Sequence, residues 1–117
     1  MGALRWRMGT FRIAVQERGT RRWRPVRGWI AGPFGIHCPG PYGGFVLTHL
    51  PTGSQVIELR RRRACKEIAE ELSVLRLKLD TSDLDQVARD SPDGPKVAPL
   101  IRRYLDVQHT RQGVPSW

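Results

Sequence analysis

Two cysteines are all that the 117 residues contain, and Cys38 and Cys65 stand too far apart to form a Cys-x-x-Cys pair. A locally written zinc knuckle or redox motif is thereby excluded; one disulfide stays chemically open, with reduced core thiols the expected state. Lysine is scarce as well: of 20 basic residues, only Lys66, Lys78 and Lys96 are Lys and 17 are Arg. No apolar run approaches the ~20 residues that cross a bilayer, so no membrane partner is expected. The opening MGALRWRMGTF has charges but no apolar h-region, which argues against secretion and for a cytoplasmic chain. Met1-Gly2 does not complete a myristoylation signal, because Trp6 occupies the position that needs Ser or Thr. Met8 is an alternative start, which would make MGALRWR a dispensable extension. GxxxxGK[ST], GxSxG and HExxH are all missing, so the main motif-defined enzyme classes have no support and no cofactor is expected.

Negative charge is short in one half only. Residues 1–66 carry 13 Lys+Arg against 2 acidic residues, net +11, whereas residues 67–117 carry 7 against 9, net −2. The whole chain has a formal net charge of +9 and a pI near 11.0. Such asymmetry points to an anionic partner for the first half, most often nucleic acid. Guanidinium groups suit bidentate phosphate binding; a GC-rich genome, whose codons favour Arg, is the plain alternative.

The first half alternates with period two. In FRIAVQE, Phe11, Ile13 and Val15 share one face and Arg12, Ala14 and Gln16 the other; ERGTRR follows as a turn. WRPVRGWI reads as a second strand with Trp23, Pro25, Arg27 and Trp29 on one face and Val26 and Ile30 on the other. Pro25 suits an edge strand or a bulge. The stretch AGPFGIHCPGPYGG holds five Gly and three Pro in fourteen residues and reads as a loop. FVLTHL and SQVIELR then flank Pro51-Thr52-Gly53, a hairpin turned by a type I turn with a left-handed Gly. From about Arg61, apolar residues recur at helical spacing through Ala64, Cys65, Ile68, Ala69, Leu72, Leu75 and Leu79, predicting a helix that ends near Asp80. A cap at Thr81-Ser82-Asp83 starts a short helix with Leu84, Val87 and Ala88. SPDGP breaks the chain, and a last helix runs from Asp93-Gly94-Pro95 to about Gln108.

The expected fold is therefore α+β: a small antiparallel sheet of 3–4 strands, then an amphipathic helix and two shorter C-terminal helices. One domain over residues 10–108 follows, with 1–9 and 109–117 as flexible termini.

The run RRRRACKEIAEEL raises a question of charge. Arg60, Arg61, Arg62, Arg63 and Lys66 stand at a helix start, where each cation opposes the macrodipole by about 0.3–1 kcal/mol. Arg63–Glu67 and Lys66–Glu70 are i,i+4 pairs in the weaker order, returning only about 0.2–0.5 kcal/mol each. An anion would resolve the excess, since helix N-termini bind phosphate; the plain alternative is a solvated junction with splayed arginines. Arg22, Arg24 and Arg27 extend the basic face, and Trp23 or Trp29 could stack bases, unless both tryptophans are core.

His37, His49 and His109 with the two cysteines match no zinc spacing, so no metal is expected. His37 and His49 as acid and base of a small basic ribonuclease are a further alternative. Asp80, Asp83, Asp85, Asp90 and Asp93 fit caps and turns better than a metal cage.

Strands followed by a helix over residues 10–79, with Arg/Trp content and the FVLTHLPTGSQVIEL hairpin, resemble the sheet-plus-helix DNA-binding domains of integrase arms and AP2-type proteins. In those domains the sheet enters the major groove. The composition also resembles short Arg-rich orphan proteins of actinobacterial phages. The function expected is non-enzymatic nucleic-acid binding, to DNA first. The rival is a small effector, phage-encoded in that resemblance, whose basic face docks on an acidic host protein, with its apolar helix or the Ala31–Gly44 loop supplying specificity. A monomer or a homodimer through the C-terminal helices is compatible with both.

Overall fold

The computed structural model describes residues 4–41, 43–81 and 84–113, with backbone alone for Leu84 and residues 108–113. Five strands come first: β1 (Arg7–Glu17), β2 (Thr20–Ala31), β3 (Phe34–His37), β4 (Phe45–His49) and β5 (Ser54–Leu59). Helix α1 (Arg62–Val74), helix α2 (Leu84–Asp90), a short 3-10 turn (Gly94–Lys96) and helix α3 (Val97–Gly113) follow. The strands form one antiparallel sheet in the order β1-β2-β3-β4-β5. The fold is α+β, with one strand more than the sequence reading expected.

The extra strand is β3, inside the Gly/Pro stretch read as a loop. All four of its residues are buried. The glycines and prolines punctuate its ends instead of dissolving it. Gly32 has φ +54 in the two-residue turn between Ala31 and Phe34, the first turn position that a type II′ hairpin reserves for glycine. Gly35 is needed for space instead. A Cβ there would lie 2.7 Å from the Phe11 ring, so its bare backbone makes room for that ring.

Arg18 and Gly19 turn β1 into β2 with φ +53 and +78, the double positive φ of a type I′ turn. The Pro51–Gly53 turn has Gly53 at φ +69, with its N–H donating to His49 O at 2.8 Å. β1 starts at Arg7, within the segment expected to be loose, and Leu4 and Trp6 pack against the core. Leu4 and Trp6 of MGALRWR thus add apolar surface to the core. At the other end the α3 backbone continues to Gly113, into the 109–117 segment expected to be loose; residues 114–117 of that segment lie outside the described residues.

Register sorts the side chains. One sheet face carries Phe34, Ile36, Leu47, Ile57 and Leu59, and α1 covers it with Cys65, Ile68, Ala69 and Leu72. Each of the Phe, Ile and Leu side chains among them contributes about 1.5–3 kcal/mol when fully buried. On the opposite face Phe11 packs edge-on to His37 with ring centroids 6.1 Å apart. The two ends of the sheet meet at one place, where the Ala14 N–H donates to Gly53 O at 2.8 Å.

Helix α1 stops at Val74, short of the expected Asp80. Downstream backbone groups are taken by the SPDGP loop: Arg76 N–H donates to Asp93 Oδ2 (2.8 Å), Asp93 N–H to Arg76 O (3.1 Å) and Lys78 N–H to Ser91 Oγ (2.7 Å). Leu75, Leu77 and Leu79 still pack on the core, but in alternation along an extended segment. α3, expected to be a shorter helix, is the longest at 17 residues. Tyr104 and Arg103 tie it to Glu71 of α1, the phenol and guanidinium each donating to one carboxylate oxygen.

Candidate nucleic-acid interface

β1 and β2 pair over eleven positions, but β2 meets β3 only at Trp29–Ala31. From Thr20 to Gly28 the pair is thus a two-stranded ribbon. Side chains directly opposite each other share a face. Thr10 faces Arg27, Arg12 faces Pro25, Ala14 faces Trp23, Gln16 faces Arg21 and Met8 faces Trp29. This is the α1 side of the sheet, since Trp29 also faces Ile36 of the core. It carries Arg12, Arg21 and Arg27, all exposed, and no carboxylate among these ten residues.

Arg22 and Arg24 do not join that surface. Register pairs them with Val15 and Ile13, on the opposite face. The expected continuous strip of Arg22, Arg24 and Arg27 is therefore split by the period-two alternation of β2. Arg12 and Arg21 take their place beside Arg27. The signal was legible in the parity of Arg21, Trp23, Pro25 and Arg27 and in the hairpin that brings Arg12 between them.

The arginine run sits at the junction of β5 and α1. Arg61 is the helix N-cap, in extended conformation with no side-chain cap bond, and the first turn contains no acidic residue. Arg62 lies over the Trp29 ring with its guanidinium carbon 4.4 Å from the centroid. Lys66 lies 5.9 Å over the Trp6 ring. Arg63 reaches Glu67 at 3.8 Å, a pair exposed on both sides and worth little. Arg60 leads directly from β5 and is exposed. So the run does not converge on one point. Arg62 and Lys66 are directed to the ribbon side by aromatic rings, and Arg63 is directed along its own helix.

Neither tryptophan is a simple core residue or a bare stacking platform. Trp29 is half-buried, edge-on to Phe45 with centroids 6.3 Å apart, and roofed by Arg62. Trp23 is 48% exposed, with Arg21 over its ring at 5.5 Å. Its other edge packs on Gly53, where any Cβ would fall well inside contact distance. Arg21 also donates to Thr52 O, so the ribbon end is pinned to the β4–β5 turn.

The histidines do not form an acid–base pair. His37 and His49 are both buried, and register places them on opposite faces of the sheet. His49 is a strut: Nε2 bonds Leu79 O at 2.7 Å and Nδ1 bonds Thr52 Oγ1 at 3.0 Å. Burial holds its pKa below the ordinary value, and burial with the Arg24 charge does the same for His37. Cys65 is a core thiol pushed up to about 12 by burial, whereas Cys38 is exposed rather than core. Among the described residues no helix is long and apolar enough to cross a membrane. No family model, curated protein or solved structure matches the chain.

Proposed function

We propose that the protein binds nucleic acid without catalysis, through the α1 side of the β1–β2 ribbon and the adjoining start of α1. One observation carries this reading: Arg12, Arg21 and Arg27 share an acid-free ribbon face that continues into Trp29 and Arg62. Polyanions are the complement of such a surface, and phosphate is the anion that planar guanidinium groups bind bidentately. Lys66 borders the same side through Trp6. Arg22 and Arg24 contribute only to the long-range field, which raises the encounter rate without positioning the partner.

Affinity of this origin is dominated by counterion release. The logarithm of the binding constant falls by roughly 0.9 per phosphate contact for each tenfold rise in salt. The test is a salt series on a nucleic-acid duplex for wild type, for Arg12→Gln with Arg27→Gln, and for Arg22→Gln with Arg24→Gln. The first double variant is expected to flatten the slope by roughly two contacts, and the second to change it by less than one. Equal slopes for the three proteins, or no binding at low salt, would sink the proposal. An acidic host protein is the competing partner; it gains if nuclease-treated lysate yields one acidic protein retained at moderate salt and lost in the Arg12/Arg27 variant.

A further inference from the structure

We infer that the partner of this surface is double-stranded DNA, not a single strand. The inference rests on the nucleic-acid reading above and follows from the state of the tryptophans. Proteins that hold single strands do so by stacking unpaired bases on open aromatic faces. Among the described residues, every tryptophan has a cation over its ring: Arg21 on Trp23 at 5.5 Å, Arg62 on Trp29 at 4.4 Å and Lys66 on Trp6 at 5.9 Å. Trp23 is backed by Gly53, Trp29 abuts Phe45, and the indole nitrogen of Trp6 is buried. A base entering any of these places must first displace a cation from its ring, which costs about 0.5–1 kcal/mol at an exposed site and more when desolvated.

The same contacts suit a double helix. A guanidinium held over a ring still has N–H groups to offer a phosphate, because only one side of it is taken up by the aromatic contact. Its rotamer is settled before the ligand arrives, which lowers the ordering cost of binding. Fixed cations gain most from a partner whose phosphates are also fixed, and a duplex presents a regular array where a single strand does not. Away from the β4–β5 turn, which meets it at Ala14, Arg21 and Trp23, the ribbon is two strands wide over Thr20–Gly28, and the major groove of B-form DNA admits an element of that width. The major groove of an RNA duplex is too deep and narrow for it.

Fluorescence anisotropy on the full chain, with a labelled DNA duplex, its separated strands and an RNA duplex of equal length, tests the inference. The DNA duplex is expected to bind at least about tenfold more tightly than either strand, a gap of ~1.4 kcal/mol. Intrinsic tryptophan emission should stay nearly unchanged on duplex binding, because no base reaches an indole. Arg62→Lys, which keeps the charge but loses the planar fork, should weaken duplex binding severalfold, and Arg62→Ala somewhat more. Equal or tighter single-strand binding with quenched emission overturns the inference while leaving the nucleic-acid reading intact. RNA duplex binding equal to that of DNA overturns the choice of DNA, and wild-type affinity in Arg62→Lys overturns the role given to the stacked guanidinium. No binding to any of the three at low salt removes the underlying reading as well.

Discussion

Replacing Gly53 by alanine strikes the point where the ribbon is held to the rest of the sheet. Gly53 has φ +69, a conformation that costs an L-residue about 1–2 kcal/mol. Its new methyl would also press on the Trp23 ring, and overpacking of that kind costs about 1–3 kcal/mol. The expected loss is the total of the two, about 2–5 kcal/mol. Trp23→Ala has a separate cost: the ring is 48% exposed, so roughly 100 Å² of buried surface is lost, worth about 2.5 kcal/mol at most. In the Trp23→Ala background the ring clash is gone but the 2.8 Å approach to the Ala14 nitrogen stays, so Gly53→Ala should still cost the strain of about 1–2 kcal/mol together with that backbone contact. A double-mutant cycle by urea unfolding, followed by far-ultraviolet circular dichroism to avoid the altered tryptophan signal, should therefore give a coupling of about 1–3 kcal/mol. Additivity within about 0.5 kcal/mol would refute the packing of Trp23 on Gly53.

Asp93 is held down to about 2 by the Arg76 amide and guanidinium and by Lys96, against 3.8 unfolded, so its contribution is complete above 3.8 and disappears as pH falls toward 2. Asp93→Asn should flatten that acid limb in pH-dependent unfolding, and an unchanged limb would refute the assignment. His37 and His49 are lowered from 6.5 by burial, so the unfolded chain takes up protons that the folded chain refuses. Stability should decline as pH drops through 6.5, and a flat profile between neutral pH and pH 5 in urea melts would contradict it. Leu47 is completely buried under α1, so Leu47→Ala should cost about 2–5 kcal/mol in the same urea assay. Val74→Ala, 72% exposed at the end of α1, should cost less than about 0.5 kcal/mol. Iodoacetamide should alkylate Cys38 alone in the native protein and both cysteines after denaturation, read by intact mass; prompt native labelling of Cys65 would contradict its burial.

The elements that could be read from sequence are those where local and tertiary preferences agree. Alternation in FRIAVQE and WRPVRGWI, the Pro51–Gly53 turn and the short helix at Leu84 all describe contacts within a few residues, and all appear in the fold. β3 was hidden because its signal is tertiary. Four residues between glycines and prolines carry little periodicity, and what makes them a strand is pairing with β2 and β4 and the Phe11 ring over Gly35. The end of α1 was misplaced for a similar reason: Asp93 and Ser91, more than a dozen residues downstream, take the backbone groups of Arg76 and Lys78. Leu75, Leu77 and Leu79 do alternate in the sequence, but the preceding helical spacing absorbs them. For the site, the tryptophans and the α1 arginines were legible as residue types. Their mutual arrangement was not, because Arg62 meets Trp29 and Lys66 meets Trp6 only through the packing of α1 on the sheet. The split between Arg27 and the pair Arg22 and Arg24 needed only parity.

Sheet order that repeats sequence order has a consequence for how the molecule assembles. Each strand pairs with the strand made just before it, so every closure in the sheet spans a short loop, and short closures are the quick ones. A growing chain can add β2 to β1, then β3, β4 and β5, as each emerges, without waiting for its C-terminus. Among the joints that break this pattern are Ala14 to Gly53, and Arg76 to Asp93. The first needs the whole meander in place and the second needs the loop before α3. The ribbon therefore acquires its two strands early and its final angle late, when the β4–β5 turn arrives to hold it.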